Sequence, residues 1–402
     1  MAHNIANPLP ASFLRGGTSK GVFLRRSDLP ADPKDWEPIL LGIMGSPDPE
    51  HGRQLDGMGG GVSSLSKVCV VGPPTDAQRA QRIDCVYTFV QVGIRDAVLD
   101  FSGNCGNLSS MIGVFALDEG ICKVSSAGPQ GGIFRLDTKS GLATVRSLNT
   151  NTNKIIDTTF PVIAAPAGGI TPVLDLHQAA VAGVPGKASQ ILLDFVDPAG
   201  ARTGSLLPSG APVDHIAVDV AGGTAAPVRV SLVDATNPTV FVAQADLRRA
   251  LRTPGTLPID YGAAAVRGAM ESVRRRGAAL MGLDPAAQAQ PKVAALGAPA
   301  RADAGADVVV HAFSMGVLHR AVPMTVGLCL GVASGVNGSL AADIVRAARQ
   351  GRQGAPAGGE LVAIRHPGGI VEVGASFDKD GNVQSAKVVR TGRRLMKGVV
   401  WW

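Results

Sequence analysis

Aromatic side chains and charge are both scarce in this sequence. Aromatic residues make up 4% of the 402 residues and charged residues 17%, against a usual charged share of about 25%. The net charge is +6, and the densest basic cluster is residues 274–276. Few aromatic residues and scattered basic residues argue against nucleic acid as a partner. A mild positive charge suits small anionic substrates instead.

Signatures of metal sites, nucleotide sites and membrane spans are also missing. The five cysteines contain no Cys-x-x-Cys pair and the seven histidines are dispersed, so we predict neither a disulfide framework nor a metal site. No glycine motif for nucleotide phosphates occurs. The longest uncharged apolar run, residues 321–334, has about 14 residues, too few to span a membrane. Reduced cysteines and an N-terminus without a signal-peptide pattern predict a cytoplasmic protein.

The composition is that of a globular, turn-rich protein. With 45% hydrophobic residues, 51 glycines and 27 prolines, we expect an α/β or α+β protein of two or three domains. A strand, a turn of small residues and an apolar helix follow one another twice, in residues 101–115 and 313–333. The predicted helices cover 108–118 and 317–334, and residues 285–305 are predicted to form a surface loop. We therefore expect two similar domains, each a sheet around a buried helix, with both helix N-termini facing one cleft.

Two residues in these elements are candidates for proton transfer. Cys105 lies at the start of the first predicted helix, where free N–H groups and the helix dipole favour a thiolate. Lys67 follows a glycine-rich loop and stands at the start of the apolar strand 66–71, where burial favours the neutral amine that a general base needs. Each has a structural alternative. Cys105 can fill a tight turn, and Lys67 can extend its amine to solvent from a strand end.

Other polar residues are candidates for binding an anion. Thr18 and Ser19 lie in a glycine-rich turn, whose hydroxyl and N–H groups suit an anion. Asn237 lies in a second turn, and His319 follows Met315-Gly316 by one turn of the predicted helix. For each of these residues a role in the turn, in packing or in solvation is the alternative.

Taken together, a series of motifs resembles the 2-methylaconitate cis-trans isomerase (PrpF-type) family. They occur in the family's order and spacing over nearly the whole chain. The motifs are Arg15-Gly16-Gly17-Thr18-Ser19-Lys20-Gly21, Met44-Gly45-Ser46-Pro47-Asp48, Gln54-Leu55-Asp56-Gly57-Met58-Gly59-Gly60, Ser66-Lys67-Val68, Ser102-Gly103-Asn104-Cys105-Gly106-Asn107, Leu206-Leu207-Pro208, Asp234 with Asn237-Pro238, Ser314-Met315-Gly316 with His319, His366-Pro367, and Arg390-Thr391-Gly392-Arg393.

The resemblance implies a fold and a reaction. The implied fold is the diaminopimelate-epimerase-like α/β (α+β) fold, with two pseudo-symmetric domains that each wrap a curled β-sheet around a central helix. We place the domains at residues 1–185 and 186–384, with the tail 385–402 returning to the first. The implied activity is a cofactor-independent isomerisation of small unsaturated polycarboxylates by allylic proton abstraction. Cis-trans or Δ-isomerisation of a 2-methylaconitate or aconitate type of substrate is the expected reaction.

The resemblance also implies the site. The family's proton-transfer pair falls on Lys67 and Cys105. The substrate-binding residues that it implies are Thr18, Ser19, Ser66, Asn104, Gly106, Asn107, Asn237, Met315, Gly316 and His319. We expect a small anionic polycarboxylate and a second copy of the chain as partners.

Several alternatives stay open at this point. Tautomerisation of 4-oxalomesaconate and Δ-isomerisation of methylitaconate are other reactions of the same family. A second alternative is an amino-acid racemase, which normally uses a second, opposed cysteine, where this chain has Met315-Gly316. A third is a non-catalytic carboxylate-binding protein, which would not need Lys67 and Cys105. Ala211 stands where the family often has asparagine, and Leu280 where many members have arginine. The substrate can therefore differ from methylaconitate.

Overall fold

A computed structural model describes residues 5–122, 135–164, 169–219, 226–253, 258–288, 290–300, 303, 305–314, 316–319, 321–350 and 361–402. The chain divides by its internal contacts into two units. Unit 1 holds Met1–Asp194 and Val389–Trp402, and unit 2 holds Phe195–Val388. The boundaries predicted from the sequence lie at 185/186 and 384/385. Within the described ranges, no helix is long and apolar enough to cross a membrane, and no group of three or more His, Cys, Asp or Glu residues could hold a metal ion.

Unit 1 is built from a mixed sheet and short helices. Its strands are β1 (Leu9–Gly16), β2 (Ser19–Arg25), β3 (Lys67–Gly72), β4 (Cys85–Val92), β5 (Leu99–Asp100), β6 (Arg135–Asp137), β7 (Leu142–Asn149), β8 (Lys154–Ala164), β9 (Ile170–Pro172), β10 (Ile191–Val196), which crosses the boundary, and β20 (Gly392–Val400). Its helices are α1 (Glu37–Met44), α2 (Asp76–Ala80), α3 (Gly106–Ser109) and α4 (Ile112–Asp118), with 3-10 turns at Arg26–Asp28, Pro33–Trp36 and Ser63–Leu65.

The sheet of unit 1 runs in the order β20-β1-β2-β3-β4-β7-β8. The β2–β3 and β4–β7 pairs are parallel, and the other pairs are antiparallel. In the β3–β4 pair, Lys67 lies opposite Gln91 and Cys69 opposite Phe89. Because side chains alternate between the two faces of a strand, these four residues share one face of the sheet. The opposite face carries valines such as Val68, which pack against α1.

Helix α4 is buried within the curl of this sheet. The ring of Phe115 lies 5.5 Å from the ring of Phe23 on β2. A Cβ atom on Gly113 would approach Val145 on β7 to 2.9 Å and Phe160 on β8 to 3.0 Å. The glycine therefore allows the close contact between helix and sheet that places α3, directly before α4, over the Lys67 face.

The predicted helix at residues 108–118 is correct in place but wrong in continuity. It begins earlier, at Gly106, and is divided into α3 and α4. At the division, the hydroxyl of Ser110 donates to the carbonyl oxygen of Asn107 at 2.7 Å. Such a side-chain bond to the preceding turn competes with regular helix bonding.

Unit 2 is also a mixed sheet with packed helices. Its strands are β11 (Asp214–Val218), β12 (Ala226–Ala235), β13 (Asn237–Ala243), β14 (Lys292–Gly297), β15 (Val308–Ser314), β16 (Val317–Leu318), β17 (Leu361–His366), β18 (Gly369–Phe377) and β19 (Val383–Arg390), which crosses the boundary. Its helices are α5 (Gln244–Ala250), α6 (Ala264–Leu280), α7 (Met324–Ala333) and α8 (Leu340–Gln350).

The sheet of unit 2 runs in the order β11-β12-β13-β14-β15-β17-β18-β19, with parallel pairs at β13–β14 and β15–β17. Helix α6 packs on it through Gly277, next to Val240 of β13. Helix α7 is buried from Val326 to its end, and a Cβ on Gly331 would lie 2.8 Å from the backbone of Gly374 on β18. The predicted α/β class, with sheets curled on buried helices, is confirmed.

Two predictions in unit 2 are wrong. Residues 317–334 do not form one helix, because they begin with β16 and α7 starts only at Met324. Pro323 explains the late start, since a proline disfavours the helical conformation of the residue before it. Residues 285–305 are not a surface loop, because they contain β14, which is buried from Val293 onward. A short apolar run rich in alanine does not by itself distinguish a buried strand from other structures.

Asp84, directly before β4, is a buried carboxylate that is poorly satisfied when ionised. Its Oδ2 accepts from the N–H of Arg146 at 2.7 Å, whereas its Oδ1 has no hydrogen-bond partner among the described residues. Burial raises the pKa of Asp84 to about 6, above the value of about 3.9 for an unfolded chain. The folded state therefore binds this proton more tightly, and the group adds stability as pH falls.

We expect this group to raise the free energy of unfolding by about 1 kcal/mol between pH 7 and pH 5. Urea unfolding at the two pH values measures the gain, and Asp84→Asn should lack it because the amide does not titrate. The same pH dependence in both proteins would contradict the assignment.

Candidate active site

The turn between β1 and β2 presents Thr18 and Ser19. At this turn Gly17 has a φ of 50°, and its N–H donates to the carbonyl oxygen of Thr391 at 2.9 Å. Nη1 of Arg15 donates to the carbonyl oxygens of Gly17 and Thr391 at 3.0 and 3.1 Å. The turn is thus held in place through its backbone. The Thr18 side chain is exposed, whereas Ser19 is buried.

Lys67 is a buried lysine that pairs with a neutral amide. The residue is 8% exposed, and its Nζ donates to Oε1 of Gln91 and lies 5.0 Å from the ring centroid of Phe89. Nε2 of Gln91 in turn donates to the carbonyl oxygens of Ser63 and Ser66, at 3.2 and 2.8 Å. An amide stabilises an ammonium group less than a carboxylate would. Gln91 therefore holds the Lys67 amine in place, and no carboxylate pairs with that amine among the described residues.

Cys105 is half-buried at the N-cap of α3, with its Sγ 3.7 Å from Oγ of Ser19. The preceding residue, Asn104, accepts from the hydroxyl of Tyr87 at 3.2 Å and donates to Oγ of Ser109 at 3.1 Å. These bonds attach the Cys105 loop to β4. Helix α3 has only four residues, so its dipole is smaller than that of the single longer helix predicted from the sequence.

Asn107 joins the Cys105 loop to the Thr18 turn. Its Nδ2 donates to Oγ1 of Thr18 at 3.0 Å and to Oγ of Ser19 at 3.5 Å. Its Oδ1 accepts from Nε of Arg390 at 3.1 Å. The hydroxyl groups of the turn, the thiol and a guanidinium thus belong to one hydrogen-bonded network.

Lys67 and Cys105 both act electrostatically on the buried thiol of Cys69. Burial raises the pKa of Cys69 well above its usual value, the negative charge of Cys105 raises it further, and Lys67 opposes the rise. Burial also raises the pKa of Tyr87, with a contribution from Cys105. Cys69 follows Lys67 by two residues on β3, so the two side chains share a face. The structure therefore places both predicted proton-transfer residues near the thiol of Cys69.

Ser66 supports the loop that precedes β3, and Gly106 is the first residue of α3. The hydroxyl of Ser66 is fully buried and donates to Oε1 of Gln54 and to the carbonyl oxygen of Val62. In this arrangement Ser66 holds the glycine-rich loop that leads into β3. Gly106 follows Cys105 as the first residue of α3 and offers its N–H group.

In unit 2, Asn237 begins β13 and is buried. Its Oδ1 accepts from Nε2 of Gln290 at 2.9 Å, and its Nδ2 donates to the carbonyl oxygen of Pro238 at 3.1 Å. Both ends of the amide are thus engaged within unit 2.

Of the other candidates in unit 2, Gly316 lies in the turn between β15 and β16, with a φ of 74°, and Met315 lies outside the described residues. His319 is exposed after β16, and its N–H donates to the carbonyl oxygen of Ala312 at 2.8 Å. The prediction that His319 lies one helical turn after Met315 is wrong, because this segment forms the β15–β16 hairpin.

Gln91, Tyr87 and Arg390 form hydrogen bonds with predicted site residues but were not predicted as site residues themselves. The signal for Gln91 and Tyr87 is the register of β4 against β3, which the sequence does not reveal. Arg390 belongs to the Arg390-Thr391-Gly392-Arg393 motif, so a signal existed without an assigned role.

Replacing Gly17 by alanine is expected to disrupt the turn. The new Cβ would overlap Oδ1 of Asn107, and the φ of 50° is unfavourable for alanine. We expect a loss of about 1–3 kcal/mol in the free energy of unfolding, together with at least about tenfold lower activity. Urea unfolding and a rate assay measure the two effects. Gly398→Ala on β20, where a Cβ meets nothing within 4 Å, is the matched control, and equal behaviour of both variants would contradict the prediction.

The chain matches the family model described as PrpF protein over residues 7–402. It is 33% identical to the 3-methylitaconate isomerase of Eubacterium barkeri, over 98% of this chain and 97% of that protein. It is 33% identical to the 2-methyl-aconitate isomerase of Cupriavidus necator, over 100% of this chain and 98% of that protein. It is 34% identical to the (4E)-oxalomesaconate Delta-isomerase of Novosphingobium sp. (strain KA1), over 98% of this chain and 97% of that protein.

The fold of the chain is similar to the crystal structure of a methylitaconate-delta-isomerase. The TM-score is 0.79, the sequence identity is 31%, and the match covers 98% of this chain and 96% of that chain. This chain and that isomerase therefore share one fold over nearly their whole lengths.

Proposed function

The chain belongs to the PrpF protein family and is an isomerase, and we propose that its substrates are small unsaturated polycarboxylates of the 2-methylaconitate and aconitate type. The observation that carries the proposal is that a buried lysine and a half-buried cysteine both act on the thiol of Cys69, with the cysteine beside a turn of hydroxyl groups. An amine and a thiol are a suitable base and acid for moving a proton on carbon.

In the proposed reaction, Lys67 removes a proton from the carbon next to the substrate double bond. The electron pair left behind spreads over the allylic system onto a conjugated carboxylate. The Thr18-Ser19 turn, through the hydroxyl group of Thr18, and the N–H groups of Gly106 and Asn107 stabilise this negative charge, because they are already oriented before the reaction.

Cys105 supplies or orients the proton that returns to the substrate. Return to the other allylic carbon moves the double bond, and rotation before return to the same carbon gives cis-trans isomerisation. Both outcomes move a proton and transfer no electrons to or from the protein, so the proposed chemistry runs on these side chains without a cofactor.

We propose that the remaining residues implied by the family resemblance also contact the substrate. The residues carried over from the family resemblance are Asn104, Ser66, Asn237, Met315, Gly316 and His319. The substitutions at Ala211 and Leu280 remove an amide and a cation from positions where relatives of this family often have them, which favours a substrate with a different set of carboxylates. Leu280 is exposed at the end of α6.

Incubation with cis-aconitate, trans-aconitate, 2-methylaconitate, methylitaconate and 4-oxalomesaconate, followed by proton NMR, tests the substrate class. We expect conversion of one or more of the first three compounds. Conversion of methylitaconate or 4-oxalomesaconate alone would assign the reaction to the alternative Δ-isomerase or tautomerase. Binding without conversion of any compound would contradict the isomerase proposal and favour a carboxylate-binding protein.

We also propose a homodimer in the cytoplasm. Strand β20 pairs with β1 and bears exposed apolar residues: Leu395, Met396 and Val399, followed by Trp401. A second copy that covers these residues would remove them from water. Sedimentation velocity should give twice the chain mass for the wild type and the mass of a single chain for Met396→Glu. A monomeric wild type would contradict the dimer.

The proposed location in the cytoplasm is supported by the cysteines, because all five carry free thiols. Cell fractionation tests this location.

A further inference from the structure

Arg390 is a buried positive charge without a carboxylate partner in the described ranges. The residue is 8% exposed. Its Nε donates to Oδ1 of Asn107 at 3.1 Å and its Nη1 donates to the carbonyl oxygen of Val389 at 2.8 Å. Burial lowers the pKa of Arg390 to about 10, which still leaves the guanidinium charged at neutral pH. A charge that is desolvated and lacks a carboxylate partner is a candidate for a functional role.

The bond from Arg390 fixes the orientation of the Asn107 amide. A guanidinium only donates hydrogen bonds, so the atom of Asn107 that faces it must be the carbonyl oxygen. The amide NH₂ is then directed at the hydroxyl oxygens of Thr18 and Ser19, at 3.0 and 3.5 Å.

This orientation also determines where the hydroxyl hydrogens point. Since the oxygens of Thr18 and Ser19 accept from Asn107, their own hydrogens are directed elsewhere. Sγ of Cys105 donates to Oγ of Ser19 at 3.7 Å. When the thiol loses its proton, the sulfur becomes an acceptor and the Ser19 hydroxyl can donate to it across the same separation. The hydroxyl of Thr18 is exposed and can donate to a ligand.

We propose that Arg390 is a positioning residue that fixes the Asn107 amide, so that Ser19 donates to the sulfur of Cys105 and Thr18 donates to a substrate carboxylate. The part that concerns the carboxylate rests on the proposed function. The part that concerns the sulfur is a property of the protein without substrate.

Arg390 keeps its positive charge during the proposed reaction, whereas other groups near Cys105 are neutral or change their charge. Cys105 interacts electrostatically with Cys69 on β3 and with Tyr87 on β4, and Lys67 interacts with Cys69. Cys69 and Tyr87 stay neutral because burial raises their pKa values. In the proposed reaction Lys67 alternates between charged and neutral forms, whereas Arg390 keeps its charge throughout.

The test is the rate at which iodoacetamide alkylates Cys105 between pH 5 and pH 10, without substrate. The other four cysteines are buried, so the reagent reports on Cys105, and peptide mass spectrometry verifies the modified residue. We expect about tenfold slower alkylation at pH 7 in Arg390→Met, with the midpoint of the profile moved to higher pH. Arg394→Met on β20, which removes an arginine paired with Asp118, is the matched control and should behave like the wild type.

Two further variants separate orientation from charge. Arg390→Lys keeps the charge and loses the planar donor, so it should be slower than the wild type if orientation matters. Ser19→Ala removes the hydroxyl directly, and Arg390→Met combined with Ser19→Ala should be little slower than Ser19→Ala alone. Fully additive effects, or a wild-type profile in Arg390→Lys, would overturn the positioning role. Should Arg390→Met fail to fold, Arg390→Lys with Ser19→Ala still decides the question. Because the assay uses no substrate, its result is independent of whether the proposed isomerisation is correct.

Discussion

Replacing Lys67 by methionine is expected to lower kcat for isomerisation by a factor on the order of 10²–10⁴. Methionine fills the buried space beside Phe89, but it carries no amine that could take a proton from the substrate. The hydrogen bond to Gln91 is lost as well. Proton NMR of substrate conversion, at substrate concentrations that separate kcat from KM, measures the effect.

The control for this variant is Lys154→Met, at the exposed start of β8 in the same unit. It removes a lysine without touching the site and should stay within about twofold of the wild type. A folded Lys67→Met protein that keeps more than half of the wild-type kcat would show that Lys67 is not the base.

Replacing Cys105 by alanine is expected to lower kcat by about 10²-fold or more. The contacts of Asn107 with Thr18 and Arg390 do not involve the thiol, so the turn and the loop keep their positions. The loss then reflects the missing acid and not a rearranged site. Cys105→Ser should fall between alanine and the wild type, because a hydroxyl can orient a proton but releases it less readily than a thiol.

Cys329→Ala in unit 2 is the matched cysteine control. That thiol is buried in α7 and donates to the carbonyl oxygen of Val233, and burial raises its pKa to about 12. The variant should lose about 1 kcal/mol of the free energy of unfolding and keep the wild-type rate. Equal rate losses at Cys105 and Cys329 would mean that the effect of Cys105→Ala is a general loss of stability.

The local arrangement of the site could be predicted from the sequence. Lys67 does begin a buried strand, and Cys105 does stand between a strand and a helix. Each prediction depends on a few adjacent residues, since glycine turns and apolar runs act over short distances along the chain. The motifs that resemble the PrpF family single out Lys67 and Cys105 as the proposed proton-transfer pair.

The partners of these residues could not be predicted, because they come from distant parts of the chain. Gln91 reaches Lys67 only through the register of β4 on β3, and Arg390 reaches Asn107 across 283 positions. Sequence periodicity indicates which face of a strand is buried but not which strand lies beside it. The wrong prediction at His319 has the same cause, because the sequence does not reveal that β15 pairs with β16 where a helix was predicted.

The most direct test of the proposed proton transfer is isomerisation in D₂O, followed by proton NMR at the allylic carbon of the converted substrate. We expect that the wild-type protein incorporates solvent deuterium there during conversion, and that Lys67→Met neither converts the substrate nor exchanges that hydrogen. Conversion that retains the original hydrogen in the wild type, with equal turnover by Lys67→Met, would contradict abstraction of the proton by Lys67.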